Sequence, residues 1–430
     1  MRVGENFCPG ILHAVPAKDG MLIRIRVPGG LIDARQLSTV AALSATFADG
    51  QVEITSRGNL QLRAIKERSL HEIVDALMSV ELLPSRQHDR VRNIFTSPLA
   101  GLDPEEFIDT RSLVRELDKR LIADDAFVDL HPKFSFGIYG GSRLFSHEQD
   151  DLALQAIHGS ALTRPALFQL FVGGTDTCYA VSLDHAVDCL LKAARLCISL
   201  AKHNGLPVRG KKFVATSGVM ECMLESVLPL LTPSLETGLP IAVTLPPIGV
   251  HEAGQASQRN IIPAIPLGRL TSKQAQRISE SAVESEGDLR LAPWRGVVLG
   301  AVPAGRAADV AAQLSSVGLY LDGRNGFQGI AACAGVTGCD ASLADVRTDA
   351  AMLAQRLAGR ALLAGWTVNF SGCEKQCAMR HGATAELISA PEGYLLRIDG
   401  QSIPDSCSPQ TAISLILAAH KNFASEVAPS

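Results

Sequence analysis

Four cysteines in the C-terminal part of the chain have the residue type and spacing needed to ligate an iron–sulfur cluster. Cys333 and Cys339 form a C-x5-C pair, and Cys373 and Cys377 form a C-x3-C pair further along the chain. Each iron of a 4Fe–4S cube needs one soft thiolate ligand, so two short loops with two cysteines each supply a complete set. Nearby glycines permit the tight turns that surround a cluster. The spacing therefore predicts a 4Fe–4S cluster.

Two alternatives compete with this interpretation. Structural zinc sites also use paired cysteines, but typically at shorter spacings such as C-x2–4-C. Cysteine is also often a small buried apolar residue without a ligand. Two close pairs in glycine-flanked turns favour the cluster over both.

The residues around these cysteines indicate how they are positioned. Leu343, Val346, Ala350, Leu353 and Leu357 recur at helical spacing between the two pairs. We expect Asp340 to cap this helix, which would place Cys339 at the positive end of the helix dipole. A short strand over 366–370 precedes the second pair, and strands over 383–388 and 394–398 follow it.

Composition restricts the class of protein. The 430 residues are 47% hydrophobic and 20% charged, which predicts a folded chain with a large core rather than disorder. The net charge of −4 argues against a basic nucleic-acid-binding protein. The six other cysteines show no disulfide spacing, which indicates reduced thiols and a cytoplasmic location. An apolar signal core at the N-terminus and an apolar run of ~18 residues are both absent from the sequence, so we expect no membrane contact.

The chain contains two internal repeats. Residues 27–36 resemble residues 265–274 at an offset of 238, and each copy continues into a helical and then a strand-like pattern. In the second copy, Ala275, Ile278 and Val283 recur at helical spacing and predict the apolar face of a helix. Strand, helix and strand in this order form half of a ferredoxin-like α+β unit.

The second repeat has an offset of 236, although coincidence between glycine-rich stretches is the alternative. It aligns Phe134 and Ser135 with Phe370 and Ser371, and it aligns Ser97, Asp103, Gly137 and Gly141 with the four cysteines in turn. The first copy would then have the same loops without ligands. We predict ferredoxin-like halves over 10–80 and 250–320, an α/β domain without ligands over 88–235, and an α/β domain with the cluster over 325–425.

These features resemble the nitrite and sulfite reductase superfamily. The resemblance implies a duplicated α+β fold, with two ferredoxin-like halves and two larger α/β domains around a tetrapyrrole. It also implies one 4Fe–4S cluster, whose last cysteine bridges to the iron of sirohaem in the reductases.

Basic residues of the family's anion pocket carry over only in part. Arg57 lies in a Thr-x-Arg motif, Arg92 precedes Asn93, and Lys133 matches the first of two lysines spaced by one. Ser135 stands where the second lysine would be. Because multi-electron reduction of a bound oxyanion needs clustered cations, this loss weakens the case for a sulfite reductase.

The residues around the last two cysteines resemble those of another branch of the superfamily. Glu374 and Lys375 replace the Pro-Asn of the reductases, and Ala378 replaces a glycine. This pattern, the stretch 290–295 and the compact length are similar to the precorrin-3B synthases. That resemblance implies an oxidoreductase of cobalamin biosynthesis: a monooxygenase that uses O2 to hydroxylate precorrin-3A at C20 and forms a γ-lactone.

The resemblance also implies a polycarboxylate tetrapyrrole in the cleft, which needs cationic partners. The candidate substrate-binding residues are Arg57, Arg92, Lys133, Arg295 and Lys211. Lys375 and His381 are catalytic candidates, and His381 could ligate a further non-haem iron. A G-x-G-x-x-G fingerprint is absent, so we expect a separate electron donor, either a reductase or a ferredoxin. Two alternatives stay open: a sirohaem-dependent sulfite or nitrite reductase, and a non-enzymatic cluster protein that carries electrons or a tetrapyrrole.

Overall fold

The computed structural model describes residues 8–141, 150–157, 166–234, 248–360, 363, 365–379 and 382–427. The strands are β1 (Val15–Ala17), β2 (Gly20–Ile25), β3 (Gln51–Ile54), β4 (Leu60–Ile65), β5 (Ile94–Phe95), β6 (Phe136–Tyr139), β7 (Leu152–Ala156), β8 (Leu167–Val172), β9 (Thr175–Ser182), β10 (Leu231–Pro233), β11 (Gly249–Glu252), β12 (Gln258–Ile262), β13 (Arg269–Thr271), β14 (Asp288–Ala292), β15 (Gly296–Pro303), β16 (Ile330–Ala332), β17 (Val368–Ser371), β18 (Ala385–Ala390), β19 (Gly393–Ile398) and β20 (Gln401–Ser402). The helices are α1 (Ala34–Phe47), α2 (Leu70–Ser79), α3 (Arg111–Ile122), α4 (Ala186–Asn204), α5 (Gly210–Val214), α6 (Val219–Val227), α7 (Ser272–Ser285), α8 (Ala307–Ser316), α9 (Gly335–Gly338), α10 (Val346–Leu357) and α11 (Pro409–Val427).

Two antiparallel sheets with helices packed against them form the ferredoxin-like halves. The strand order is β1-β2-β4-β3-β13 in the first sheet and β11-β12-β15-β14 in the second. Helices α1 and α7 begin in the same way, since Asp33 and Thr271 each form a capping box with the residue three positions later. Reciprocal caps of this kind fix where each helix starts, and they lie 238 residues apart, as the first repeat predicts.

The two halves are interlocked. Strand β13 of the second half pairs with β3 of the first, and Leu31 of the first half bridges to Arg290 on β14 of the second. Ser38 on α1 donates a hydrogen bond to Gln276 on α7 at 2.8 Å. Leu37 and Ile278, from the same two helices, are buried in one continuous apolar core. The two halves therefore fold as one unit.

Two further sheets form the α/β domains. The first has the order β10-β9-β8-β7-β6-β5 and packs against α3, α4 and α6, and the second has the order β16-β17-β18-β19-β20 and packs against α10 and α11. In both, the opening strands are parallel: β5 with β6 and β7, and β16 with β17 and β18. The carboxyl ends of such strands meet at one sheet edge, where functional loops collect.

The constant offset of 236 between these two domains is wrong beyond their first helix. Strand pairing sets Phe136 opposite Ile94 and Val368 opposite Ile330, so the offset changes to 232 at the second strand. The connection over 123–135 after α3 is longer than the one over 358–367 after α10. The predicted matches of residues 134, 135 and 137 with 370, 371 and 373 therefore fail, and Gly141 aligns with Cys373.

Two local predictions on helices are also wrong. Asp345 caps α10 by accepting from the backbone N–H of Thr348 at 3.3 Å, so the helix begins after residue 345 and Asp340 is not its cap. Cys339 therefore does not lie at the positive end of this helix. Val283, assigned to the apolar face of the second-half helix, is 68% exposed, and Ala282 is buried instead.

Candidate iron–sulfur site

The parallel strands β16 and β17 bring the two cysteine pairs together. Cys333 follows the last residue of β16, and Cys373 lies two residues beyond β17. The backbone N–H of Cys333 donates to the carbonyl of Phe370 at 3.2 Å, so pairing continues past the end of β16. Both cysteine loops therefore leave the same sheet edge side by side.

A direct hydrogen bond joins the two loops. The backbone N–H of Gly372 donates to Sγ of Cys333 at 3.2 Å. Hydrogen bonds of this kind to cysteine sulfur stabilise clusters and adjust their reduction potential. Residue 372 must be glycine here because a Cβ would collide with the side chain of Ser342. The donor set and this contact fit a cluster held by both loops.

The second members of the pairs are also held by specific contacts. Cys339 ends the short helix α9, and its carbonyl accepts from the N–H of Ser342 at 3.1 Å. Asn369, fully buried on β17, donates to Oε1 of Gln376 and to the carbonyl of Met379, on either side of Cys377. Cys377 is exposed, whereas the other three cysteines are partly buried.

Two arginines from the ferredoxin-like halves bind carbonyls beside the cysteines. Arg63 on β4 donates from Nη2 to the carbonyl of Gly338, directly before Cys339, at 2.5 Å. Arg295, in the turn between β14 and β15, donates to the carbonyl of Ala378, directly after Cys377. Arg295 was predicted as a substrate residue, and the structure does place it at the cysteine loops. Arg63 was not predicted from the sequence, because it lies in no recognisable motif.

Arg57, in the turn between β3 and β4 of the first ferredoxin-like half, packs against the other α/β domain. Its guanidinium carbon is 5.6 Å from the centre of the Phe95 ring. It also acts electrostatically on Asp150, a buried carboxyl that accepts from the Tyr139 hydroxyl at 2.6 Å. Burial raises the pKa of Asp150 to about 7, although Tyr139 and Arg57 oppose the shift. Arg57 and Arg295 therefore lie in equivalent turns but face different domains.

The geometry argues against Arg92 as a carboxylate-binding residue. Its guanidinium is buried and forms a bidentate ion pair with Asp118, with N–O distances of 2.8 and 2.7 Å, and it also donates to the carbonyl of Leu82. This ion pair holds the segment before β5 against α3. The sequence motif cannot reveal this pairing.

The two other basic candidates of the first domain lie near a buried aspartate. Lys133 is partly exposed, and its backbone N–H donates to Nδ1 of His131 at 3.1 Å. The N–H of Ser135 donates to Asp151 at 3.0 Å, and the other oxygen of Asp151 accepts from the N–H of Gly210. Lys211 is exposed and follows Gly210, so it lies next to a residue whose N–H binds Asp151.

Of the two catalytic candidates, Lys375 is exposed between two cysteines, and His381 lies outside the described residues. Iron ligation by His381 therefore stays a prediction.

In the first α/β domain, other residues occupy the position that is equivalent to the cysteine site. Gly141 aligns with Cys373, and a Cβ at this position would collide with the Phe107 ring. Gly140 aligns with Gly372, and its carbonyl accepts from the N–H of Phe107 at 2.8 Å. A side chain thus occupies the space that a cysteine would need.

In the described part of the chain, no group of three or more His, Cys, Asp and Glu residues could hold a single metal ion. A 4Fe–4S cube is a different arrangement, since each thiolate binds its own iron. Similarly, none of the described helices is long and apolar enough to span a membrane.

Family models match much of the described architecture. The nitrite/sulfite reductase ferredoxin-like half domain matches residues 13–80 and 251–317, and the nitrite and sulphite reductase 4Fe-4S domain matches residues 87–177. The chain belongs to the nitrite and sulfite reductase superfamily. The 4Fe-4S model matches the domain copy without the cysteines, which is consistent with duplication. The family supports a 4Fe–4S cluster in this chain.

Individual relatives come from two activity classes. A precorrin-3B synthase of Sinorhizobium sp is 28% identical over 96% of this chain and 87% of its own length. A ferredoxin–nitrite reductase of Synechococcus elongatus is 27% identical over 89% of this chain and 78% of its own length. A sulfite reductase [ferredoxin] of Mycolicibacterium paratuberculosis is 28% identical over 83% of this chain and 67% of its own length. These relatives are oxidoreductases, so the prediction of an oxidoreductase is confirmed at that level.

The fold prediction is confirmed by a solved structure. The NirA protein of Mycobacterium tuberculosis superposes with a TM-score of 0.79, covering 94% of this chain and 80% of its own, at 21% identity. At this identity the likeness establishes the duplicated α+β fold alone.

Proposed function

We propose that this chain is a precorrin-3B synthase. It would use O2 to hydroxylate precorrin-3A at C20 and to form a γ-lactone in aerobic cobalamin biosynthesis. The tetrapyrrole would then be the substrate in the cleft rather than a resident cofactor.

The environment of Ser135 carries the proposal. This residue replaces the second lysine of the reductase anion pocket, and its N–H donates to the buried Asp151. Asp150 is buried beside it. An oxyanion brought to this position would meet carboxyl groups instead of a second ammonium, which costs electrostatic energy. Dioxygen is neutral and does not need this cation.

The comparisons add weight to the proposal without deciding it. The precorrin-3B synthase relative aligns over 87% of its own length, whereas the sulfite reductase relative aligns over 67%. The sequence identities are similar, at 28% in both cases. The compact architecture thus favours the synthase.

Several residues would contribute to cluster ligation and substrate binding. Cys333, Cys339, Cys373 and Cys377 would hold the 4Fe–4S cluster, which supplies electrons one at a time when bound. Arg57 and Arg295, in equivalent turns of the two ferredoxin-like halves, would bind carboxylates on opposite sides of the macrocycle. Lys133 and Lys375 would add positive charge at the rim of the cleft. A separate reductase or ferredoxin would provide the electrons.

The second candidate is a sirohaem-dependent sulfite or nitrite reductase. All four cysteines are present at one sheet edge, and Arg57 and Lys133 are retained. Relatives of this class match at 27% and 28% identity. Under this alternative, sirohaem would be a cofactor.

One experiment separates the two candidates. The anaerobically purified chain is given precorrin-3A, a chemical reductant and isotopically heavy O2, and the product is analysed by mass spectrometry. One heavy oxygen atom in a lactone product supports the synthase, and Cys333→Ser should abolish it. Sirohaem bands in the purified protein, together with sulfite or nitrite reduction and an unchanged precorrin-3A, would overturn the proposal.

A further inference from the structure

A buried ion pair links the first ferredoxin-like half to the cluster domain. Arg63 is 5% exposed and contacts both carboxylate oxygens of Asp19, at 2.9 and 3.0 Å. The same guanidinium donates to the carbonyl of Gly338 at 2.5 Å. Arg63 and Asp19 belong to the first half, and Gly338 belongs to the cluster domain. This contact joins residues far apart in the sequence, next to Cys339.

The approach is close enough to determine the residue type at 338. A Cβ at Gly338 would lie 2.7 Å from Nη2 of Arg63 and 3.0 Å from Oδ2 of Asp19. Both charges therefore lie against the backbone that enters Cys339. Any larger residue at 338 would push the ion pair away from the loop.

The internal repeat shows that the common fold does not require this ion pair. Ala64 and Ala301 both have left-handed backbone, with φ of 56° and 55°, which aligns Arg63 with Gly300 in the second half. Gly300 lies against the Leu102 side chain, in the α/β domain without cluster ligands. The hairpin turn over 253–258 that corresponds to the turn of Asp19 contains no acidic residue. Among the described residues, the Arg–Asp pair therefore lies in the first half, where position 63 contacts the cluster domain, and its equivalent position 300 in the second half contacts the other α/β domain.

We propose that Arg63, held by Asp19, is a positioning residue for the cluster: it fixes the Cys339 loop and its charge raises the cluster's reduction potential. A reduced cluster carries one more negative charge than an oxidised one, so a nearby buried cation favours the reduced form. The carboxylate of Asp19 acts in the opposite direction. The inference rests on the cluster of the proposed function but not on the tetrapyrrole reaction.

The test measures potential rather than turnover. The full-length chain is purified anaerobically as wild type, Arg63→Gln and Asp19→Asn, and iron and acid-labile sulfide are counted. The cluster's midpoint potential is then determined by a redox titration followed by electron paramagnetic resonance. Arg63→Gln should lower the potential and reduce cluster retention, whereas Asp19→Asn should raise the potential. The midpoint potential of Arg63→Lys should lie closer to the wild-type value than that of Arg63→Gln.

The signs of the two shifts decide the outcome. A purely structural ion pair would loosen the same loop in both variants and shift both potentials in one direction, which would overturn the proposal. Unchanged potentials would do the same. If Arg63→Gln does not fold, Asp19→Asn decides alone by the direction of its shift.

Arg290→Gln is the matched control. Arg290 is 2% exposed and also pairs with an aspartate, Asp288, and its side-chain hydrogen bonds go to Asp288 and the carbonyl of Leu289, not to the cysteine loops. Its replacement should lower stability and leave the potential unchanged. A wild-type chain without iron would contradict the proposed function itself. A wild-type cluster unaffected by both substitutions would contradict only this inference.

Discussion

Arg57 and Arg295 lie in equivalent turns of the two ferredoxin-like halves but contact different α/β domains. The Arg57 guanidinium lies over the Phe95 ring in the domain without cluster ligands, and Arg295 donates to the carbonyl of Ala378 beside Cys377. The duplicated scaffold thus places one arginine at each α/β domain. Only one of the two domains has the four candidate cluster cysteines, so a pseudo-symmetric scaffold carries an asymmetric site.

Replacing a cluster cysteine should remove the cluster. Cys333→Ser loses the thiolate that accepts the N–H of Gly372, and we expect iron and sulfide to fall to a small fraction of the wild-type content. Cys407→Ser is the control, since Cys407 is partly buried in the same domain but outside both pairs. Equal losses in both variants would indicate general instability instead of ligand loss.

Gly372→Ala should disturb the cysteine loops by overpacking. Its Cβ collides with Ser342, and overpacking typically costs about 1–3 kcal/mol. Denaturant unfolding and iron content would both report the change. Gly305→Ala, where a Cβ meets nothing within 4 Å, should be close to neutral. Adding Ser342→Gly to Gly372→Ala should restore the iron, and a failure of this rescue would count against the collision.

Asp150 should make stability depend on pH. Its folded pKa of about 7 lies above the ordinary value of 3.8, because burial disfavours the charged form. Folding therefore binds a proton between these values, and stability is lost as pH rises from about 4 to about 7. By about 1.4 kcal/mol per pKa unit, the loss is at most about 4 kcal/mol.

Asp150→Asn should flatten this pH dependence, as measured by urea unfolding at a series of pH values. The groups that face the carboxyl are Tyr139, Ser135, Arg57 and Asp151. Asp75→Asn, at an exposed position on α2, controls for the loss of a carboxylate. An unchanged slope in Asp150→Asn would refute the shifted pKa.

Arg92→Ala should reduce stability rather than substrate affinity. Breaking a buried ion pair leaves Asp118 unpaired and typically costs about 3–5 kcal/mol. The folded fraction of the variant should bind the tetrapyrrole as the wild type does, in a fluorescence-quenching titration. Weak tetrapyrrole binding by a fully folded Arg92→Ala variant would show that Arg92 does contribute to the binding site.

Arg57→Ala combined with Lys133→Ala should show the opposite behaviour. Removing both cations should weaken tetrapyrrole binding at least tenfold, which corresponds to about 1.4 kcal/mol. Iron content should stay at the wild-type level, since neither residue lies at the cysteine loops. The exposed Arg68→Ala serves as the control for net charge. Unchanged tetrapyrrole affinity would show that Arg57 and Lys133 do not belong to the binding site.

The four cysteines can be proposed as ligands from the sequence because ligand type and spacing are local properties, and the structure brings their two loops to one sheet edge. The capping residues Asp33 and Thr271 are local signals as well, so the first repeat gave the correct equivalence. Arg92 and Arg63 were not interpretable in this way, because their roles depend on Asp118 and Gly338, which are distant in sequence. The offset of 236 failed for a related reason, since strand pairing, not sequence spacing, determines which residues are equivalent. Asp340 was a reasonable cap by type, but Asp345 is the residue whose side chain reaches the N–H of Thr348.

The exchanged strand β13 has a consequence for synthesis of the chain on the ribosome. Strand β3 lies at the edge of the first sheet until Arg269–Thr271 pairs with it. An unpaired edge can associate with other strands, and nascent chains expose such edges for seconds. The N-terminal half therefore cannot complete its sheet when it emerges. The edge of β3 stays unpaired until residue 271 has been translated, and during that interval it is open to association with other strands.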